Sequence, residues 1–176
     1  MRLIHAALPA LLLTAGLSGA LIAQPAMQPP GQPDVTRVTA GTYNIDPHHT
    51  QILFSYSHFG FSHNMGLLSG ATGTLTLDPK HPAAAKLSVD VPINTLHTTI
   101  AALDSEFQSA SWFNPAKYPM AHFVSTKVTP GADGKTAAVA GNLTIKGITK
   151  PVVLNVTFVA AGIDGFSKKE AVGFQA

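Results

Sequence analysis

Cysteine is absent from all 176 residues, which excludes disulfides, thiolate nucleophiles and cysteine-based zinc or iron–sulfur sites. Charge is scarce as well: Asp, Glu, Lys and Arg make up 11% of the chain against 45% hydrophobic residues, little for a soluble domain. Basic and acidic residues nearly balance at 11 and 9, and no basic cluster is interleaved with aromatics. Nucleic acid is thereby excluded as a partner. No basic amphipathic helix is present to lie on a membrane surface, and beyond the first two dozen residues no apolar run is long enough to span a bilayer.

Catalytic signatures are missing too. Gly60-Phe61-Ser62-His63-Asn64 opens like a nucleophile elbow but has Asn64 in place of the second glycine. Gly134-Lys135-Thr136 lacks the earlier glycine of a phosphate-binding loop, since Thr129 stands there. Asn142-Leu143-Thr144 and Asn155-Val156-Thr157 are formal glycosylation acceptors, but both fall inside strand patterns. No histidine pair has the HExxH or His-x-His spacing of a metal site.

What is present begins with a leader. Residues 1–23 carry Arg2, an apolar run through Leu13 to Leu17, and small residues at Ser18, Gly19, Ala20 and Ala23. This is the pattern of a signal peptide, with cleavage after Ala20 or after Ala23 left open, and it places the mature chain in the periplasm or outside the cell. Residues 24–41 hold Pro25, Pro29, Pro30 and Pro33 with no apolar period, and read as a solvated Pro-rich tether. The folded domain is expected over 42–176.

From there the apolar period is two. Ile52, Phe54, Tyr56 and His58 alternate with Ser55 and Ser57, while Ala71, Gly73, Leu75 and Leu77 alternate with threonines. Leu87, Val89, Val91 and Ile93 form a third such run, with Pro92 marking an edge or an end. Over 121–128 Phe123 and Ser125 face away from His122, Val124, Thr126 and Val128. Asp133-Gly134 signals a hairpin turn into a strand over 136–146. After a turn at 147–150, Pro151 is expected to start a strand with Val152, Leu154, Val156 and Phe158 on one face, and a last strand starts at Val172. Only 94–116 departs from this pattern: Ile100, Leu103 and Phe107 fall at helical spacing. At least seven short strands with one helical insertion predict an all-β antiparallel barrel or sandwich.

Chemistry-bearing residues are few. Asp46 before Pro47 suits a turn, and Asp104 is placed to pair with backbone or with a histidine. Asp104 and Glu106 lack a second catalytic element to work with. His48 and His49, as neighbours on a strand, would point to opposite faces, whereas His58 and His63 flank a turn and are expected to converge. A metal-dependent enzyme or stress protein using His48, His49 and His58 at a barrel rim is the alternative to a binding protein.

Several segments, taken in order, resemble the YceI family of lipid- and polyisoprenoid-binding proteins. They are Tyr43-Asn44-Ile45-Asp46-Pro47-His48-His49-Thr50; Phe54 with His58; Gly60; Met65-Gly66; Thr95-Leu96-His97-Thr98; Asp104; the run from Trp112-Phe113-Asn114-Pro115 to Tyr118-Pro119; Phe123 with Ser125-Thr126; and Gly141-Asn142-Leu143-Thr144-Ile145-Lys146-Gly147 continuing to Pro151-Val152. The resemblance covers about residues 42–176. It implies a lipocalin-like barrel that holds a long isoprenoid or fatty-amide chain, in a periplasmic or secreted protein without catalysis, cofactor or metal. The family pattern continues past Gly173-Phe174, so the barrel is expected to be incomplete at its C-terminal side. An unpaired edge there would invite a second copy and a homodimer.

An eight-stranded barrel has room for one small ligand. Its expected lining is Phe54 and Tyr56, then Leu75 and Val89, then the aromatic pair Trp112 and Phe113. Phe123, Leu143, Leu154 and Phe158 complete it, with Ile100 and Leu103 on the helix over one mouth. The expected partners are an isoprenoid or other long-chain lipid and, given a quinone-like ligand, a membrane electron-transfer protein.

Overall fold

The computed structural model describes residues 28–176; the expected leader lies outside them. Ten strands and one short helix follow in order: β1 (Gly41–Asn44), β2 (Ile52–His58), β3 (Ser62–Leu68), β4 (Thr72–Leu77), β5 (Lys86–Pro92), β6 (His97–Thr98), α1 (Ala101–Phe107), β7 (Met120–Pro130), β8 (Thr136–Ile145), β9 (Ile148–Ile163) and β10 (Glu170–Gln175). Seven of them make one sheet in the order β1-β4-β5-β7-β8-β9-β10, antiparallel at every pairing. It curls into a nearly closed barrel. β2, β3 and β6 form a separate small sheet.

The alternation in the sequence decides which face turns inward. In β4 the threonines are exposed while Gly73, Leu75 and Leu77 are half-buried, and in β9 Val152, Leu154, Val156 and Phe158 turn inward between exposed neighbours. Burying one apolar face is what fixes the register, since a slip of one residue would expose the whole set.

Four local features depart from the sequence reading. In β7 the register shifts between Ser125 and Lys127, and Val128 then pairs with Val139. This bulge puts Val128 on the same face as Phe123, not opposite it, because an extra residue inverts the alternation beyond it. Pro151 lies inside β9, whose pairing with β8 already starts at Ile148. It is tolerated because β10 pairs with β9 only over 157–163, so the second edge of 148–156 is unpaired among the described residues. β3, whose Ser62-His63-Asn64 start gave no alternation signal, pairs with β2 throughout. The final strand begins at Glu170, before Val172.

The Pro-rich segment is also more than a solvated tether at its C-terminal end. Gln32 exchanges two backbone hydrogen bonds with Ala161, at 3.0 and 2.9 Å. A 3-10 turn over Val35–Arg37 follows, capped by Asp34. Val35 and Val38 then pack with Phe158, Ala161, Leu77 and Val172. The chain thus crosses one end of the barrel as a strap before entering β1. Proline-rich composition hid this, because two apolar residues give no period to detect.

Candidate functional site

The inner face of the large sheet is an apolar ladder in register. Gly73 lies opposite Val89, Val89 opposite Phe123, and Phe123 opposite Leu143. One step along, Leu75 faces Leu87, and further on Val128, Val139 and Leu154 run across three strands. Phe123 and Val139 are buried, but Leu75, Val89, Leu143 and Leu154 are only half-buried although they point inward. Among the described residues no large side chain is completely buried. A close-packed interior would bury several. The inner face is therefore an apolar trough that the protein's own side chains cover incompletely.

Glycine shapes that trough. A Cβ on Gly141 would stand 2.4 Å from Cζ of Phe123, so only a hydrogen there lets the ring lie across the sheet. The same relation holds in the small sheet, where a Cβ on Gly66 would meet Phe54 Cζ at 2.4 Å.

A second apolar group gathers around α1. Phe107, 3% exposed, receives four aromatic rings edge to face: Phe54, Tyr56, Trp112 and Phe113, at centroid distances of 6.2, 5.7, 5.0 and 6.1 Å. Such pairs stabilise beyond area burial by about 0.5–1.5 kcal/mol each. The helix carrying Phe107 is short and is anchored at its start by Asp104. Its carboxylate accepts the backbone N–H of Thr98 at 2.6 Å and the Thr98 hydroxyl at 2.7 Å, and lies 2.8 Å from His97 Nδ1. These hydrogen bonds, first from Thr98, hold the Asp104 carboxyl below the usual carboxylate range. Asp104 thus pairs with both backbone and histidine, and its role is to fasten β6 to α1.

The expected lining residues fall into these two groups. Leu75, Val89, Phe123, Leu143 and Leu154 are on the trough. Phe158 lies at the strapped end, packed with Val38 and Ala161 and edge to face with Phe174 at 6.0 Å. Phe54, Tyr56, Trp112 and Phe113 surround Phe107, with Leu103 half-buried on the helix. Ile100 and Trp112 are nearly half exposed, and the Trp112 indole donates to Glu106 at 3.0 Å. The reading of the sequence missed Phe107 as the hub of this cluster, and missed Val128 and Val139. Phe107 was visible at helical spacing, but only the fold shows that four rings converge on it.

Four of the histidines each pair with a different aspartate. His49 lies 2.6 Å from Asp46, His81 2.9 Å from Asp78, and His122 2.6 Å from Asp90. The hydrogen bond to Asp46 raises the His49 pKa. His58 and His63 do not converge: His58 pairs with Ser62 and His63 with Ser57, so the period of two sends them to opposite faces. Among the described residues no three potential ligands are grouped to hold a metal. Two shallow, open grooves lie along the large sheet, one lined by Thr74, Thr76, Leu87, Val124, Thr126 and Val128, the other by Thr129, Pro130, Thr136, Ala138, Asn155 and Val156, and each mixes threonine with apolar side chains.

Residues 43–176 match the family model described as a YceI-like domain. A UPF0312 protein of Enterobacter sp. (strain 638) is 39% identical over 139 residues, which is 78% of this chain and 71% of that protein. Protein YceI of Escherichia coli O157:H7 is 38% identical over the same shares. Among solved structures, a Campylobacter jejuni YceI protein superposes with a TM-score of 0.56 at 28% identity, covering 75% of this chain and 76% of that one. Burkholderia cenocepacia BcnA shares the fold at a TM-score of 0.55 and 20% identity, over 73% and 77%.

Proposed function

Because the chain belongs to the YceI-like domain family, we propose that it binds and carries a long apolar ligand without chemical change. The ligand class is a polyisoprenoid, a quinone tail or a fatty amide, and the compartment is the periplasm. One observation carries the reading: inward-facing Leu75, Val89, Leu143 and Leu154 stand in an in-register apolar trough and are only partly buried. Burial of a methylene stabilises by about 0.8 kcal/mol, so ten carbons in the trough would contribute about 8 kcal/mol before ordering costs. Shape and apolar surface suffice for such binding, and no acid, base or nucleophile is required of the site.

The test is native mass spectrometry of the protein as purified, followed by organic extraction. A bound long-chain species released by solvent is the expected result. Protein that carries no lipid, and takes none up when offered a polyprenol, would sink the proposal. Elemental analysis of the same sample examines the alternative: stoichiometric metal that disappears in His58→Ala would favour the histidine-based reading.

A further inference from the structure

The hairpin β2–β3 ends in Phe59-Gly60-Phe61, and its two aromatic rings are 85% and 93% exposed. This is costly for a turn in water: the Phe59 ring meets the neighbouring His58 edge to face at 4.6 Å and is otherwise left to solvent. Phe59 itself takes a positive φ of 52° and Gly60 one of 78°. A bulky residue in the left-handed region is uncommon. The turn nonetheless holds, since Phe61 N–H donates to His58 carbonyl at 3.0 Å and Gly60 N–H to Ser57 Oγ at 3.2 Å.

Charge is absent around this tip. Residues 47–77 contain no Asp, Glu, Lys or Arg, so neither strand of the hairpin brings a fixed charge that would resist leaving water. Behind the tip the hairpin is braced, because Phe54 and Tyr56 on its inner face pack on Phe107.

We propose that the Phe59-Gly60-Phe61 tip is a membrane-docking element that inserts its two rings into the interfacial region of a lipid bilayer. The observations favour a bilayer over a protein partner. A protein interface is rimmed with charged as well as polar groups and carries direct hydrogen bonds, whereas this tip offers two apolar rings flanked by the uncharged Ser57 and Ser62 and by His58 and His63, with the Gly60 and Phe61 N–H groups already bonded. Inserting it removes apolar area from water while the Gly60 and Phe61 donors keep their partners within the turn. Continuity with the aromatic cluster around Phe107 sets the docked tip beside the helix that accompanies the barrel. The molecule supplies its own control: Phe166, in the turn between β9 and β10, is 97% exposed but sits among Asp164, Lys168 and Lys169, whose charges oppose insertion. The inference goes beyond ligand binding and does not depend on it.

Co-sedimentation with phosphatidylcholine vesicles free of isoprenoid tests it. The unmodified protein should partition onto the vesicles, and the F59S/F61S double variant should lose about tenfold or more of that partitioning. F166S should bind as the unmodified protein does. Binding should also persist between low and high salt, since no fixed charge on the tip drives it. Thermal unfolding establishes that the double variant keeps its fold, and F59L/F61L, which preserves apolar area, should retain binding. Absence of vesicle binding by the unmodified protein, or equal binding by F59S/F61S, would overturn the proposal. So would concentration-dependent self-association that the double variant abolishes while vesicles remain unbound, because the tip would then serve a second copy. Loss of extracted lipid with vesicle binding intact would count against the ligand reading alone.

Discussion

The phenol of Tyr43 in β1 lies 2.8 Å from the carboxylate of Glu170 at the start of β10, joining the two outermost strands of the large sheet. Glu170 also accepts the Thr39 N–H at 2.8 Å and the Thr39 hydroxyl. These bonds, first those from Thr39, lower the Glu170 pKa below its ordinary value of 4.5. A carboxyl whose folded pKa is depressed stabilises the fold fully above its unfolded value, and that contribution is lost as the pH falls through the folded value. Glu170→Gln is therefore expected to lower Tm at pH 7 and to shrink the drop in Tm between pH 7 and pH 3. Parallel melts of the two proteins across that range check it. An unchanged pH profile would show that this contact does not hold the barrel closed.

Phe107→Ala should destabilise the domain by about 3–5 kcal/mol, the range for truncating a large aromatic in a packed site. Trp112, the single tryptophan, packs on that ring at 5.0 Å. Its emission should shift to the red in the variant even without denaturant. Urea unfolding followed by tryptophan fluorescence reads both effects.

Gly141→Ala places a methyl where Phe123 lies. The ring must swing into the trough, and the expected cost is about 1–3 kcal/mol, as for other overpacked cores. Ligand capacity should fall with it. Combining Gly141→Ala with Phe123→Leu relieves the contact with the ring but leaves the methyl 2.6 Å from the Val124 carbonyl oxygen, so only part of the lost stability should return, measured as the midpoint in urea.

Leu154→Trp enlarges a half-buried residue of the trough. Lipid recovered by extraction should fall while the unfolding midpoint moves little, because the added ring occupies space that the protein itself leaves unfilled. Unchanged recovery at equal stability would place the ligand elsewhere.

Much of this architecture was legible because a strand with one buried face writes its alternation into the sequence. Ile52 to His58, Thr72 to Leu77 and Lys86 to Pro92 could be read almost to the residue for that reason. The bulge in β7 could not, since the extra residue at Thr126 looks like any other exposed threonine until its partner strand is known. Nor could the pairing of β1 with β4, which passes over the whole β2–β3 hairpin. At the site, the apolar identity of the trough was visible, but its half-filled state depends on how seven strands curve together. His58 and His63 illustrate the converse: proximity in sequence suggested convergence, and strand pairing separates them.

The strap has a consequence for the order of events in folding. Thr39 and Glu170 are 131 residues apart, and Gln32 must find Ala161, whereas β7, β8 and β9 are joined by tight hairpins whose ends meet quickly. Loops of that span close late, after local pairings have formed. On the ribosome the strap is synthesised before every strand of the barrel, yet its binding partners are among the last residues to emerge. The earliest part of the described chain to be made is thus the last to be secured, and a nascent chain halted before Glu170 would leave both ends of the domain loose.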